Sequence, residues 1–294
     1  MSILVIGSVF VDIKGRPFST FIPEGRNAGY MEQVHGGVGR NVAENLALAG
    51  QDVTFVSLVN PSDAGVTEHL EKVGIHTAFV RKQEKGMGTW LAIFNENGDV
   101  AASISVRPDL HPMTDIVTES HKALFRDCSC VVLELDIEEE TVKEVYRYAR
   151  LYDKPVIALV SVMHIAAERR DYLKDTRCFL CNQQEAGMLL EEDLTSLTPT
   201  QVLSRLTERL PDLGPDAMVI TLGARGAVYA SREGEAGLCP ALPVEVRDTT
   251  GAGDAFCSGV ALRLQEGASL AEACRTGTEF SARVITSTAN VLPR

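Results

Sequence analysis

Short, mainly apolar runs rich in β-branched residues recur along this chain, and helical patterns fill the gaps between them. Ile3–Ile6 is the first run; Val53–Val59, Val131–Leu135, Val156–Val160, Cys178–Cys181 and Met218–Thr221 follow. A run with no polar alternation predicts a strand buried on both faces. Helical periodicity predicts helices over about 40–49, 63–73, 138–151, 184–190 and 200–210. Two more, about 253–265 and 270–286, close the chain, and Gly50 and Gly74 stand where C-caps belong. Buried strands alternating with helices predict a mainly parallel sheet covered by helices on both faces. The 294 residues suffice to bury such a core. No Pro- or Ser-rich linker and no internal repeat divides them, so a single domain over 1–294 is expected.

Two segments break the rhythm. Residues 14–35 hold Gly15, Pro17, Pro23 and Gly25 among short extended pieces. Residues 87–106 read as a hairpin, in which Trp90–Phe94 and Val100–Val106 flank Asn95-Glu96-Asn97-Gly98-Asp99 with Asn97-Gly98 as the turn. Together they predict either a small sheet standing off the main domain as a lid, or two edge strands of the main sheet. Trp90, the single tryptophan, falls on this hairpin, where it covers a ligand face or packs in a lid-mediated homodimer.

Composition narrows the function. Hydrophobic residues at 45% and charged residues at 23% are globular values. A net charge of −12 argues against a nucleic-acid partner, which needs a basic footprint, but leaves room for a small anion in a local pocket. No apolar run reaches the ~18–20 residues that span a membrane, so no membrane partner is expected. Met1–Gly7 has no basic n-region and meets Asp12 early, so no secretion signal is expected. Seven cysteines in apolar surroundings predict reduced thiols and a cytoplasmic location. The pairs Cys128/Cys130 and Cys178/Cys181 fall in or beside strands and predict buried thiols rather than zinc ligands.

Four motifs carry chemistry. In Asp248-Thr249-Thr250-Gly251-Ala252-Gly253-Asp254 the small residues Gly251, Ala252 and Gly253 let backbone amides approach a ligand where a helix begins, which makes an anion hole for a phosphoryl group. Asp254 is placed to accept a proton from an attacking hydroxyl; its bland alternative is a helix cap. Gly36-Gly37-Val38-Gly39-Arg40-Asn41 opens a helix and suits a polyol-binding turn, with Asn41 offering donor and acceptor. A dinucleotide fingerprint fails here, since residues 32–35 are no buried strand and Val42 replaces the third glycine, although the glycine turn and the α/β pattern keep an NAD(P)-dependent oxidoreductase as a rival reading. Asn182-Gln183-Gln184-Glu185 follows a strand, either as water-mediated Mg²⁺ binding through Glu185 or as a capping box. Thr221-Leu222-Gly223-Ala224-Arg225-Gly226 lines a nucleotide or forms a hairpin turn. No Gly-x-x-x-x-Gly-Lys-[Ser/Thr] occurs, so a P-loop kinase is not supported.

In order and spacing these motifs resemble those of the ribokinase-like (PfkB-type) carbohydrate kinases over nearly the whole chain. The resemblance implies a three-layer α/β/α fold with a small β-sheet lid, use of ATP and Mg²⁺, and Asp254 as the base that activates a hydroxymethyl group. It further implies that Asp12 and Asp136 grip substrate hydroxyls beside Gly36, Gly37 and Asn41. Asn182, Thr221, Gly223, Gly226 and Asn290 are implied on the nucleotide side, and Asp248 and Thr250 at a monovalent cation such as K⁺. The run 36–47 looks most like pseudouridine kinases, which implies conversion of pseudouridine to its 5′-phosphate. Two positions depart from the pattern: Phe10 stands where the family often has Asn, and Asp136 where pseudouridine kinases tend to have Asn. A ribokinase- or fructokinase-like sugar kinase and a non-catalytic sugar-binding regulator on the same fold remain the alternatives.

Overall fold

The computed structural model describes residues 2–98 and 100–293; Met1, Asp99 and Arg294 lie outside it. In chain order the elements are β1 (Ile3–Ile6), β2 (Phe10–Pro17), β3 (Gly29–Gly36), α1 (Val38–Leu48), β4 (Val53–Val59), α2 (Ala64–Val73), β5 (His76–Lys82), β6 (Gly88–Phe94), β7 (Val100–Val106) and α3 (Met113–Phe125). There follow β8 (Cys130–Glu134), α4 (Glu139–Leu151), β9 (Val156–Leu159), α5 (Met163–Glu168), β10 (Cys178–Asn182), α6 (Gln183–Leu190) and α7 (Pro199–Leu213). The chain closes with β11 (Ala217–Thr221), β12 (Ala227–Ser231), β13 (Ala236–Cys239), α8 (Ala252–Gln265) and α9 (Leu270–Ile285).

The central sheet has nine strands in the order β13-β12-β11-β10-β9-β8-β1-β4-β5. All of its pairs from β11 to β5 are parallel, and β12 and β13 add an antiparallel edge. Strand alternation divides the core into two layers. Leu4 and Ile6 of β1 pack with the residues of α3, α4 and α7 on one face. Ile3 and Val5 pack with those of α1, α8 and α9 on the other. Helix α8 is buried on nearly all sides, and Gly259 meets α9 so closely that a Cβ there would stand 2.7 Å from the Cα of Gly277. All seven cysteines are free and buried, as their apolar settings predict.

The two irregular segments form their own four-stranded sheet, in the order β3-β2-β6-β7, rather than edges of the main one. Here β2 and β6 run parallel, and both flanking pairs are antiparallel. The hairpin lies where its sequence predicts, but its turn is shifted: the N–H of Gly98 donates to the carbonyl of Asn95 at 3.1 Å, and among the described residues of the loop only Gly98 takes a positive φ, +85°. A type I′ turn centred on Asn97-Gly98 would need positive φ at Asn97 as well.

Candidate active site

The carboxyl ends of β1, β8, β9, β10 and β11 open on one side of the sheet, where ligands of open α/β folds gather. Three cavities meet there. A cleft of about 550 Å³ lies between these ends and the small sheet, and Asp254 lines it. A smaller cavity of about 190 Å³ shares Asp254 and extends to Asn182, Glu185 and Thr221. A third, of about 520 Å³, shares Thr221 and Gly253 with the second and is walled by Leu242, Val244 and Ile285.

Asp254 is the hinge of this arrangement. Gly251, at φ +80°, is the N-cap of α8, and no side chain caps that helix, so Asp254 is no cap. Desolvation pushes its carboxyl up to about 7, while a hydrogen bond from Asn41 favours the charged form. Asn41 Nδ2 donates to Asp254 Oδ2 at 2.7 Å, and Arg40 donates to Asn41 Oδ1 at 3.0 Å. The arginine thus fixes the amide so that its nitrogen faces the carboxylate. Gly251 and Gly253 keep amides without protein partners among the described residues, and a Cβ on Gly253 would meet only open space. The Ala252 amide differs from its expected role: it donates to the Thr249 carbonyl at 3.2 Å, because residues 249–252 close a turn before the helix. The amides free to meet an anion are therefore those of Gly251 and Gly253, not that of Ala252.

On the cleft side, Asp12 and Asp136 both line the wall, as do Gly37 and Asn41. Burial pushes the Asp12 carboxyl above its usual value. Asp136 is held by the 161–162 loop: its Oδ2 accepts from the Ser161 amide and hydroxyl, and its Oδ1 from the Val162 amide. Gly36 is set behind the wall rather than in it, since a Cβ there would fall 2.2 Å from Asp12 Oδ2. Its smallness makes room for that carboxylate. Asn290 is also displaced from its expected nucleotide side. The chain after α9 turns back to α1, where Leu292 N donates to Asn45 Oδ1, and this brings Asn290 Nδ2 to 3.3 Å from Asp12 Oδ2.

Several lining residues escape a motif search. Glu134, at the end of β8, is buried and accepts from the Ser8 amide, the Ser8 hydroxyl and the Gly39 amide at 2.8–3.0 Å. Burial and the nearby Asp136 push its carboxyl up. It ties β1, the glycine turn and β8 together; a carboxylate inside the mainly apolar run 131–135 is the signal that could have found it. Phe10 lies against Gly88, where a Cβ would stand 2.4 Å from its ring, and with Trp90 it forms an aromatic wall of the cleft. Arg107 and Arg169 line the same cleft, and Arg169 keeps a buried Nε–H without a partner among the described residues.

The middle cavity suits a hydrated divalent ion. Among the described residues no three or more His, Cys, Asp or Glu form a cage for a metal. Glu185 and Asp254 do face this one cavity, and desolvation, with Asp136 and Asp254 nearby, pushes Glu185 up to about 7. Mg²⁺ is commonly held by one or two carboxylates, waters and phosphates, so this donor set fits it. Asn182 differs in part from expectation: it lines the cavity, but its side-chain oxygen caps α6 by accepting from Gln184 and Glu185, in a complete capping box. Glu185 serves both the cap and the cavity.

Thr221, Gly223 and Gly226 line the third cavity, and the segment is also the hairpin between β11 and β12. Asp248 and Thr250 do not present a free site for a monovalent cation. Thr250 donates to Asp248 Oδ1 from both its amide and hydroxyl, and the Lys14 ammonium sits 2.9 Å from Asp248 Oδ2 and 3.5 Å from Thr250 Oγ1. K⁺ does not fit beside a fixed like charge on the same oxygen.

Known proteins share this architecture. The model of the pfkB family carbohydrate kinases matches residues 1–293. A guanosine-inosine kinase from Exiguobacterium acetylicum is 32% identical over 99% of this chain and 96% of its own. The pseudouridine kinase of Escherichia coli (strain K12) is 25% identical over 93% of this chain and 87% of its own, a weaker match than the resemblance at 36–47 implies. A ribokinase structure from Arabidopsis thaliana, complexed with ribose and ATP, superposes with a TM-score of 0.82 at 20% identity, covering 99% of this chain and 95% of that one. With its fold, its motif order and the full-length family match in agreement, the chain belongs to the pfkB family of carbohydrate kinases, ATP-dependent phosphotransferases with hydroxyl acceptors.

Proposed function

We propose that this protein transfers the γ-phosphoryl group of ATP to the 5′-hydroxyl of a nucleoside, with 6-oxopurine nucleosides as the acceptor class. The observation that carries the reading is Asp254, which stands between a cleft that suits an acceptor and a cavity that suits phosphates. The aromatic wall of Phe10 and Trp90 suits a base better than a bare sugar. Arg107 and Arg169 line the same cleft, and a guanidinium suits a ring carbonyl, as arginine suits the O6 and N7 of guanine. The similarity to a guanosine-inosine kinase supports the same class. Pseudouridine is the second acceptor, favoured by the likeness of 36–47 to pseudouridine kinases.

In this reading Asp12 and Asp136 orient the ribose hydroxyls, and the small sheet covers them as a lid that keeps water from the γ-phosphate. The acceptor proton passes to an Asp254 oxygen as the acceptor oxygen bonds to the γ-phosphorus. The bond from that phosphorus to the β–γ bridging oxygen breaks, and ADP leaves. The Gly251 and Gly253 amides face the transferring group, where fixed donors stabilise the developing charge. Glu185 would hold a hydrated Mg²⁺ in the middle cavity, and the bound ion would neutralise phosphate charge. The adenosine part lies in the apolar cavity beside Thr221, Gly223 and Gly226. The protein works in the cytoplasm and pairs with a second copy through the small sheet.

The test is ADP release with Mg²⁺ against guanosine, inosine, pseudouridine, adenosine, ribose and fructose, with the products identified by mass. Guanosine and inosine should lead ribose in kcat/KM by at least about tenfold, through the base contacts. A preference for ribose or fructose would make it a sugar kinase. Tight acceptor binding without ADP release would make it a regulator.

A further inference from the structure

Lys14 is 2% exposed, an unusual state for a lysine. It lies on β2 two residues from Asp12, so both side chains stand on the face of the small sheet that looks into the cleft. Its ammonium is 2.9 Å from Asp248 Oδ2 and 3.5 Å from Thr250 Oγ1. Those two oxygen-bearing side chains begin the loop that ends in Gly251 and Gly253. A second cation, Arg16, stands 3.8 Å from the same Asp248 oxygen. The loop is thus held from the opposite sheet by a covalently attached positive charge.

We propose that Lys14 is a built-in monovalent cation, which fixes the Asp248–Thr250 loop so that the enzyme needs no K⁺. The proposal rests on the reading of Gly251 and Gly253 as the anion hole, because the loop that Lys14 holds leads into it. A tethered ammonium also links lid and loop: β2 cannot lift away from the cleft without separating Lys14 from Asp248. Wild-type protein is therefore indifferent to the identity of the monovalent salt. A neutral side chain at 14 leaves Asp248 facing a space that a free cation fills.

The experiment compares the full chain with Lys14→Met and Lys14→Gln in KCl, NaCl and choline chloride at constant ionic strength. Thermal melting is read without substrates, and turnover is read with the best acceptor of the panel. Wild-type melting and turnover should agree within about 1.5-fold across the three salts, since screening alone differs little between them. Each variant should melt lower in choline than wild type and recover in KCl, with turnover restored at least about tenfold over choline by mass action of the bound ion. Wild-type melting or turnover that rises specifically with K⁺ would overturn the proposal, as would variants that respond alike to all three salts. If no acceptor is phosphorylated, the function reading fails, and the melting comparison decides the cation question alone.

Discussion

Asp254 gathers the most chemistry into one side chain. It is desolvated and stands near the negative charges of Asp12 and Asp136, so its carboxyl is pushed up to about 7 even though the hydrogen bond from Asn41 favours the charged form. A base must be deprotonated to act, and Glu185, also pushed up to about 7, must be charged to favour Mg²⁺. We therefore expect kcat/KM to fall as pH drops through about 7, with a limb steeper than one ionisation would give, because two carboxylates gain protons together. A pH profile of kcat/KM flat from roughly pH 5 to 8 would contradict this. Asp254→Asn keeps the shape and can still accept from Asn41, but it cannot take the proton. It should cost ~10²–10⁴ in kcat with little change in acceptor KM, measured by steady-state kinetics. Full activity in Asp254→Asn would remove the general base from the mechanism.

At the scale of elements, Glu134 joins parts that are far apart in sequence. One carboxylate takes hydrogen bonds from Ser8 after β1 and from Gly39 at the start of α1, and so sets where the glycine turn meets the sheet. Glu134→Ala leaves these donors buried and unpaired, at a cost of roughly 2–4 kcal/mol in unfolding free energy by urea titration. Because α1 carries Asn41 and follows Gly37, acceptor KM should rise more than kcat falls. Unchanged stability and KM would show that the turn holds itself. The motif at 36–41 was legible in sequence because glycines mark close approach, and the strand cores were legible because apolar runs have no other use. Other elements wrote weaker signals. In β5 polar and apolar residues mix along an exposed edge, and in α3 the apolar positions 113, 116, 117, 124 and 125 are parted by the polar stretch 118–122. The partners of Asn290 and Lys14 were not legible at all, since both depend on which segments the fold brings together across more than two hundred residues.

For the whole molecule, the small sheet poses the question of assembly. Pleating gives it two unlike faces. The face toward the cleft carries Asp12, Lys14 and Trp90, while the opposite parity carries Met31, Ile93, Ile104 and Val106. Met31 is 77% exposed, Ile104 64% and Val106 58%, and they continue an outward apolar surface with Ile13 and Leu91. Contiguous exposed apolar area on a protein of net charge −12 marks a contact surface, and one self-complementary surface leads to a twofold pair. We therefore expect light scattering at micromolar concentration to give about twice the 31.8 kDa chain mass. Ile104→Asp places a charge in the middle of that surface and should yield monomers with an intact fold by circular dichroism. If the dimer also steadies the lid, those monomers will show a raised acceptor KM, since an acceptor covered by a sheet that opens more often is released more often. Wild-type protein that scatters as a monomer at tens of micromolar, or an Ile104→Asp variant that still scatters as a dimer, would show that this apolar face serves some purpose other than pairing two copies of the chain.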